Sequence, residues 1–461
     1  MPAPFAASAL LVALAGSVGC DRPSTVSAES APTGAREASG VSIDVDAVAG
    51  ARSGTAGART VAYADVDAVA SDGHVEATLD PGDVSLLLTF VLEHPEDGIG
   101  ITRVTAPDGT PLHDTTFASD SWEATAFAST VATEPLTGAG ELALFLPASP
   151  STPLVPGVYR VAFETDPADA GLARVERTIK RAPGREGDDD VPFDRRPQRI
   201  DVHVHVLHPD PDFRGARFAR SVDVDWRAAL DDMLAPHALG IGTVTVTVAA
   251  EAVSTRLAEL DDEIEITAAC HSARRALPGA SRTAPAAAPA AAPASGESTG
   301  TPARASTEAN PPRPPLHVAF VAEIVDAEGE DWLTGLAPQP GSPFDDTSPN
   351  GCVFIGERAW TADRLDPDTV VELLAANLLH ELGHFAGLAH PSEADGETFD
   401  LLDDTPRCAA ADPGICGTEG GADNLMFLSG DETTLPWTLT ENQAWVLRRH
   451  PLFRPTSIGG P

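Results

Sequence analysis

Basic side chains are scarce in this sequence. Lys180 is the only lysine, and 30 Lys and Arg stand against 69 Asp and Glu, a formal net charge of −39 at pH 7. Such a surface repels phosphate backbones, which excludes nucleic-acid binding as a function class, and charge-driven adsorption to anionic lipid with it. Cysteine is nearly as rare, with five in 461 residues and no CxxC spacing, which argues against a four-ligand zinc module. The N-terminal apolar run Phe5–Gly19 is too short to span a bilayer as a mature helix. What is present suffices for folding: a hydrophobic fraction of 42% is near the globular average, and the length suits two or three domains.

The run Phe5–Gly19 ends at Cys20, as a secretory h-region ends at a small-residue cleavage site. Ser17-Val18-Gly19-Cys20 resembles a bacterial lipobox, which implies lipidation of Cys20 and a cell-envelope lipoprotein on the outer surface or in the periplasm. Ser17 stands where Leu is usual, and no Lys or Arg precedes it. The alternative is an ordinary signal peptide with an incidental cysteine and a secreted product. Export leaves Cys270, Cys352, Cys408 and Cys416, an even number in an oxidising compartment with three possible pairings. Cys408 and Cys416 lie close together in a loop rich in Asp, Pro and Gly, which favours that pair and, by elimination, Cys270 with Cys352.

Composition divides the rest. Residues 1–20 are the signal, and residues 21–58, rich in Ser, Ala, Gly and Thr, read as a flexible tether. Residues 59–183 carry short strand-like runs (Val84–Leu92, Gly98–Thr105, Glu141–Leu146, Gly157–Phe163, Leu172–Ile179) separated by turns such as Pro81-Gly82-Asp83, the pattern of an all-β sandwich. Residues 184–196 read as an acidic linker. Residues 197–461 form an α/β (α+β) domain that begins strand–helix–strand (Arg199–Leu207, Asp223–Leu239, Thr243–Val248) and carries a disordered Ala/Pro-rich insertion at 274–315. His203, His205 and His208 alternate on its first strand and read as strand surface rather than ligands.

The chemistry concentrates in one helix, Asp366–Gly387. Within and just beyond it run His380-Glu381-Leu382-Gly383-His384-Phe385-Ala386-Gly387-Leu388-Ala389-His390. Residues four apart share a helix face, so His380 and His384 can hold one ion, with Glu381 beside them to act on a water. Gly387 lets the backbone leave the helix and return His390 as a third ligand. Three His, one Glu and one Gly at these offsets arise by chance on the order of once in 10⁵ chains.

These residues match HExxHxxGxxH at every specified position and resemble the metzincin clan of zinc metallopeptidases. The resemblance implies a zincin catalytic domain, Zn²⁺ as cofactor, and a Met-turn, for which Asn424-Leu425-Met426-Phe427 qualifies through Met426. Asp404-Thr405-Pro406, with Cys408 and Cys416 between the third histidine and Met426, resembles the pappalysin-type enzymes, which carry a disulfide there. Pro391 stands where they commonly have Thr, and no Tyr follows the Met-turn. Asp400, Asp403 and Asp404 are either a Ca²⁺ loop, as in some relatives, or a solvated acidic loop.

The implied activity is an exported zinc metalloendopeptidase acting on protein or peptide, with Glu381 as general base and membrane contact only through a lipid anchor. Extended substrate would lie along the strand Gly351–Gly356, with a backbone N–H near Val353–Ile355 assisting. The competing class is a surface-binding or adhesion lipoprotein in which the sandwich acts and the metal domain is vestigial. Glu381 weighs against it, since a structural metal site needs no base. Thr440 and Gln443 form a capping box before a C-terminal helix, Ala444–Arg449.

Overall fold

The computed structural model of the chain describes residues 61–67, 74–94, 97–114, 140–166, 168, 170–182, 192–207, 225–248, 314–321, 324–325, 332–343, 349–356, 367–393, 399–408, 416, 421–427 and 437–456. The expected signal with Cys20, the tether, His208, Cys270 and nearly all of the 274–315 insertion lie outside them.

The strands of the first half are β1 (Val61–Asp67), β2 (His74–Leu79), β3 (Asp83–Leu92), β4 (Gly98–Thr105), β5 (Pro111–Asp114), β6 (Glu141–Leu146), β7 (Gly157–Asp166) and β8 (Leu172–Arg181). They pair antiparallel in two four-stranded sheets, ordered β1-β8-β3-β6 and β2-β7-β4-β5. Side chains from both, among them Val75, Phe90, Leu144, Tyr159 and Val161, share one apolar core. The sheets differ in pattern for a physical reason. β2 alternates half-buried and buried residues, as a sheet with one wet face requires. β3 and β6 are near-continuous apolar runs because both their faces are covered. Leu86, Leu88, Leu142 and Leu144 fill the sandwich core, while Leu87, Ala143 and Phe145 enter the core of the second half.

That second core is built on β9 (Gln198–Val206), α1 (Asp225–Leu234), β10 (Leu239–Val248), β11 (Leu316–Val321), the hairpin β12 (Ile324–Val325) and β13 (Trp332–Leu333), β14 (Gly335–Leu336), β15 (Cys352–Gly356), α2 (Pro367–Phe385), α3 (Glu441–Arg449) and β16 (Arg454–Pro455). The main sheet runs β10-β9-β11-β15-β14. Its first four strands are parallel, β14 is antiparallel, and β16 adds to the start of β9. The expected helix Asp223–Leu239 is shorter than its periodicity suggested. It stops at Leu234, because Pro236 lacks an N–H and disfavours helical geometry in Ala235; a 3₁₀ turn, Ala235–His237, leads straight into β10. Val202, Val204, Val318 and Val353 point toward α1 and α2, where Trp226, Leu230, Leu374 and Leu378 complete the core.

Two corrections concern organisation. The expected acidic linker is folded at its C-terminal end: Phe193–Arg195 form a 3₁₀ turn, and Arg449 Nη1 donates to Asp194 Oδ1 at 2.8 Å. The strand expected to lie at the sheet edge, Gly351–Gly356, lies inside the sheet between β11 and β14. The two residues Gly335-Leu336 are too short a run to carry periodicity, so β14, the edge strand beside β15, left no trace in the sequence pattern.

Lys180 joins the halves. It is fully buried on β8, where four acceptors surround the three N–H donors of its ammonium: Gln198 Oε1 at 2.8 Å, the His450 carbonyl at 3.0 Å, and the carbonyls of Arg448 and Phe453. Burial, followed by the neighbouring guanidinium groups, pulls its pKa well below that of an ordinary lysine. Ser85 Oγ donates to the Arg449 carbonyl at 2.6 Å in the same interface.

Candidate metal centre

Helix α2 begins at Pro367, a residue suited to a first turn, and is buried without interruption from Leu373 to Leu379. His380 and His384 project from one face, one turn apart. The helix then ends in a Schellman arrangement: Leu388 N–H donates to Gly383 O at 2.9 Å and Gly387 N–H to His384 O at 2.7 Å, with Gly387 at φ +91°. This exit turn returns His390 to the other two. The three Nε2 atoms stand 3.1, 3.1 and 3.3 Å apart.

The tautomers follow from the outer nitrogens. His380 Nδ1 donates to the Leu425 carbonyl at 2.8 Å, His384 Nδ1 to the Leu388 carbonyl at 2.9 Å, and His390 Nδ1 to both Glu393 oxygens at 3.0 Å. Each Nδ1 therefore carries the proton and each Nε2 a bare lone pair. Three lone pairs turned toward one point repel one another unless a cation lies between them. Tetrahedral nitrogen ligands about 2.0–2.1 Å from zinc are spaced about 3.3–3.4 Å apart, close to the spacing seen. The residues fit a zinc ion. Burial, and then His390, lowers the His380 pKa to about 3, and the same causes hold His384 well below its usual value, so these imidazoles are neutral, as a metal ligand must be.

Glu381 is 5% exposed, and burial pushes its carboxyl up to about 8. Edge strand β14 lies against it. A Cβ on Gly335 would sit 2.5 Å from Glu381 Cγ and Oε1, so only glycine allows this approach. Asn377, one turn earlier on α2, holds the strand there: its amide donates to the Thr334 carbonyl at 2.8 Å and its oxygen accepts from the Thr334 hydroxyl at 3.1 Å.

Met426 is fully buried beneath α2, where a Cβ on Gly383 would overlap its sulfur. The turn that carries it is held to α3 by a paired amide contact, Asn424 Nδ2 to Gln443 Oε1 at 3.0 Å and Gln443 Nε2 to Asn424 Oδ1 at 2.9 Å. Gln443 also closes the expected capping box with Thr440. The disulfide Cys408–Cys416 is formed, with Cα atoms 5.7 Å apart. Cys352 is disulfide-bonded too, while its expected partner Cys270 lies outside the described residues.

Two carboxylates of the acidic trio, Asp400 and Asp404, brace the chain. Asp400 is buried, accepts from the Leu402 N–H and the Thr405 hydroxyl, and burial raises its pKa to about 6. Asp404 accepts from the Thr440 hydroxyl and the Asn442 N–H at the start of α3, and Asp403 is exposed. Among the described residues, only two groups bring three potential metal-binding atoms together: His380, His384 and His390, and a second composed of His203, His205 and His317.

That second group corrects the expectation of strand-surface histidines. His203 and His205 are 6% and 2% exposed, and the parallel pairing of β11 with β9 puts His317 directly opposite His203. Sequence reading also missed Glu393, three residues after His390, and Asn377. The HxH spacing of His203 and His205 was the one available signal for the second group. In comparison with known proteins, the chain matches no family model and no curated protein.

Proposed function

We propose that this chain is an exported zinc-dependent endopeptidase with the architecture of a metzincin-like catalytic domain. The observation that carries the reading is the convergence of three Nε2 lone pairs, spaced 3.1–3.3 Å apart, beside a buried glutamate on the same helix. Bound there, a zinc ion would supply Lewis acidity toward a carbonyl and would acidify water. The protein's own residues do the rest. Glu381 accepts the proton of the attacking water and passes it to the departing amine. Its burial suits both roles, because a carboxyl poised above its ordinary range takes a proton readily and gives it up near neutrality. Edge strand β14, clamped by Asn377, offers backbone groups along which an extended peptide can lie as an added strand. Met426 and the Leu425 carbonyl support the ligand helix from below. The Cys408–Cys416 bond accords with an oxidising compartment outside the cytoplasm.

The test is a casein or peptide-library digest with metal analysis. Chelator should abolish cleavage and zinc restore it, and Glu381→Ala should lower the rate on the order of 10²–10⁴-fold while keeping its metal. Full activity in Glu381→Ala would refute the reading.

A further inference from the structure

The face of the main sheet turned away from α2 gathers three imidazoles. Val202, Val204 and Val206 of β9 point into the core shared with α2, so His203 and His205 point the other way, and the sheet itself stands between them and the helix-borne centre. Because β11 runs parallel to β9 with His317 opposite His203, a third ring joins them. Ala319 lies opposite His205 and, being small, leaves room beside it.

We propose that His203, His205 and His317 form a second site for a borderline divalent cation, Zn²⁺ foremost, distinct from the centre on α2. Their potential ligand atoms all lie within 4.8 Å of one another. His205 Nε2 is already 2.9 Å from His317 Nδ1, so one of these two nitrogens must offer a lone pair to the other. The spacing wanted by a four-coordinate zinc, about 3.3–3.4 Å, falls between the 2.9 Å contact and the 4.8 Å limit. All three rings are buried, at 6%, 2% and 6% exposure, so the cluster is a shielded one rather than a set of solvated surface side chains. The Thr247 hydroxyl, 2.8 Å from His203 Nε2, fixes the orientation of that ring from outside the cluster. Cys352, opposite His317 on the other side, is disulfide-bonded and so presents no thiolate. A donor set made only of imidazoles selects zinc, copper, nickel or cobalt over calcium and magnesium.

The experiment is zinc stoichiometry on the full exported chain after dialysis against metal-free buffer, read by elemental analysis. Wild type should hold two equivalents, His384→Ala one, and His205→Ala one. In the His384→Ala background, added Zn²⁺ should also raise the melting temperature, and His317→Gln should remove that rise. A single equivalent in wild type that disappears in His384→Ala overturns the proposal, whether or not His205→Ala folds. Absence of any zinc-dependent rise in His384→Ala overturns it as well. A single equivalent that survives His384→Ala and is lost in His205→Ala would support this site and count instead against the α2 centre.

Discussion

The two histidine clusters use the same side chain in opposite ways. On α2 and its exit turn the rings meet at steep angles, 81° between His380 and His384 and 90° between His384 and His390, so their edges converge. On β9 and β11 the rings lie nearly face to face, with His203 and His205 centroids 4.2 Å apart at 24° and His205 and His317 at 17°. The difference comes from the backbone. A helix followed by a left-handed glycine turn delivers side chains from several directions onto one point, whereas neighbouring strand positions project side chains in parallel. The outer nitrogens differ accordingly. Each Nδ1 of the helix cluster is committed to a carbonyl or carboxylate, while the strand cluster pairs one imidazole with another.

The comparison breaks most visibly by deletion. His384→Ala should lower peptide hydrolysis on the order of 10³-fold or more, and His205→Ala should leave hydrolysis intact; equal losses in a peptide assay would erase the distinction between the clusters. A lone buried histidine provides the control. His450 is fully buried between Phe145 and Phe385, and burial, then Lys180, lowers its pKa to about 3. Its folded value is depressed, so its contribution to stability is complete above about pH 6.5 and is lost as pH falls toward 3. That loss should reach about 4 kcal/mol at pH 3 in urea titrations, and His450→Leu should remove most of it from the pH profile.

Finer changes sharpen the contrast. Glu393→Gln weakens the acceptor on His390 Nδ1 and should reduce zinc affinity of the α2 centre roughly 10–100-fold, measured by competition with a chelator. Gly387→Ala forces a side chain onto a backbone at φ +91° and should cost about 1–2 kcal/mol in chemical denaturation, with weaker zinc retention as His390 shifts. Smallest is Thr247→Val, which frees the His203 ring. It should change stability by about 1 kcal/mol and leave hydrolysis unchanged.

Legibility followed distance along the chain. His380, Glu381, His384, Gly387 and His390 were readable because helix period and a glycine exit are local rules acting over eleven residues. The Cys408–Cys416 pair and the Thr440–Gln443 capping box were readable for the same reason. Strands β4 and β6 matched the expected Gly98–Thr105 and Glu141–Leu146 because flanking turn residues and apolar runs marked both ends. Others were not legible. β14 is two residues long, and its place at the edge beside Glu381 depends on Asn377 and on a sheet order no local pattern encodes. The acidic loop read as either a Ca²⁺ loop or a solvated one, and the contacts by which Asp400 and Asp404 brace the chain came only with the fold.

By itself, then, the sequence determined the net charge of −39, the two-part organisation into β-rich and α/β halves, and the helix with its histidine spacing, all of which follow from composition or from neighbours a few residues apart. Tertiary structure alone decided that the only lysine would be enclosed by four acceptors between the halves, and that Leu87, Ala143 and Phe145 would serve the second core. It also decided that His317 would come to lie against a histidine 112 positions earlier. The physical reason is register. Which residues face one another across a parallel sheet, and which face of that sheet is covered, are properties of strands brought together over long loops, and nothing in either strand records its partner.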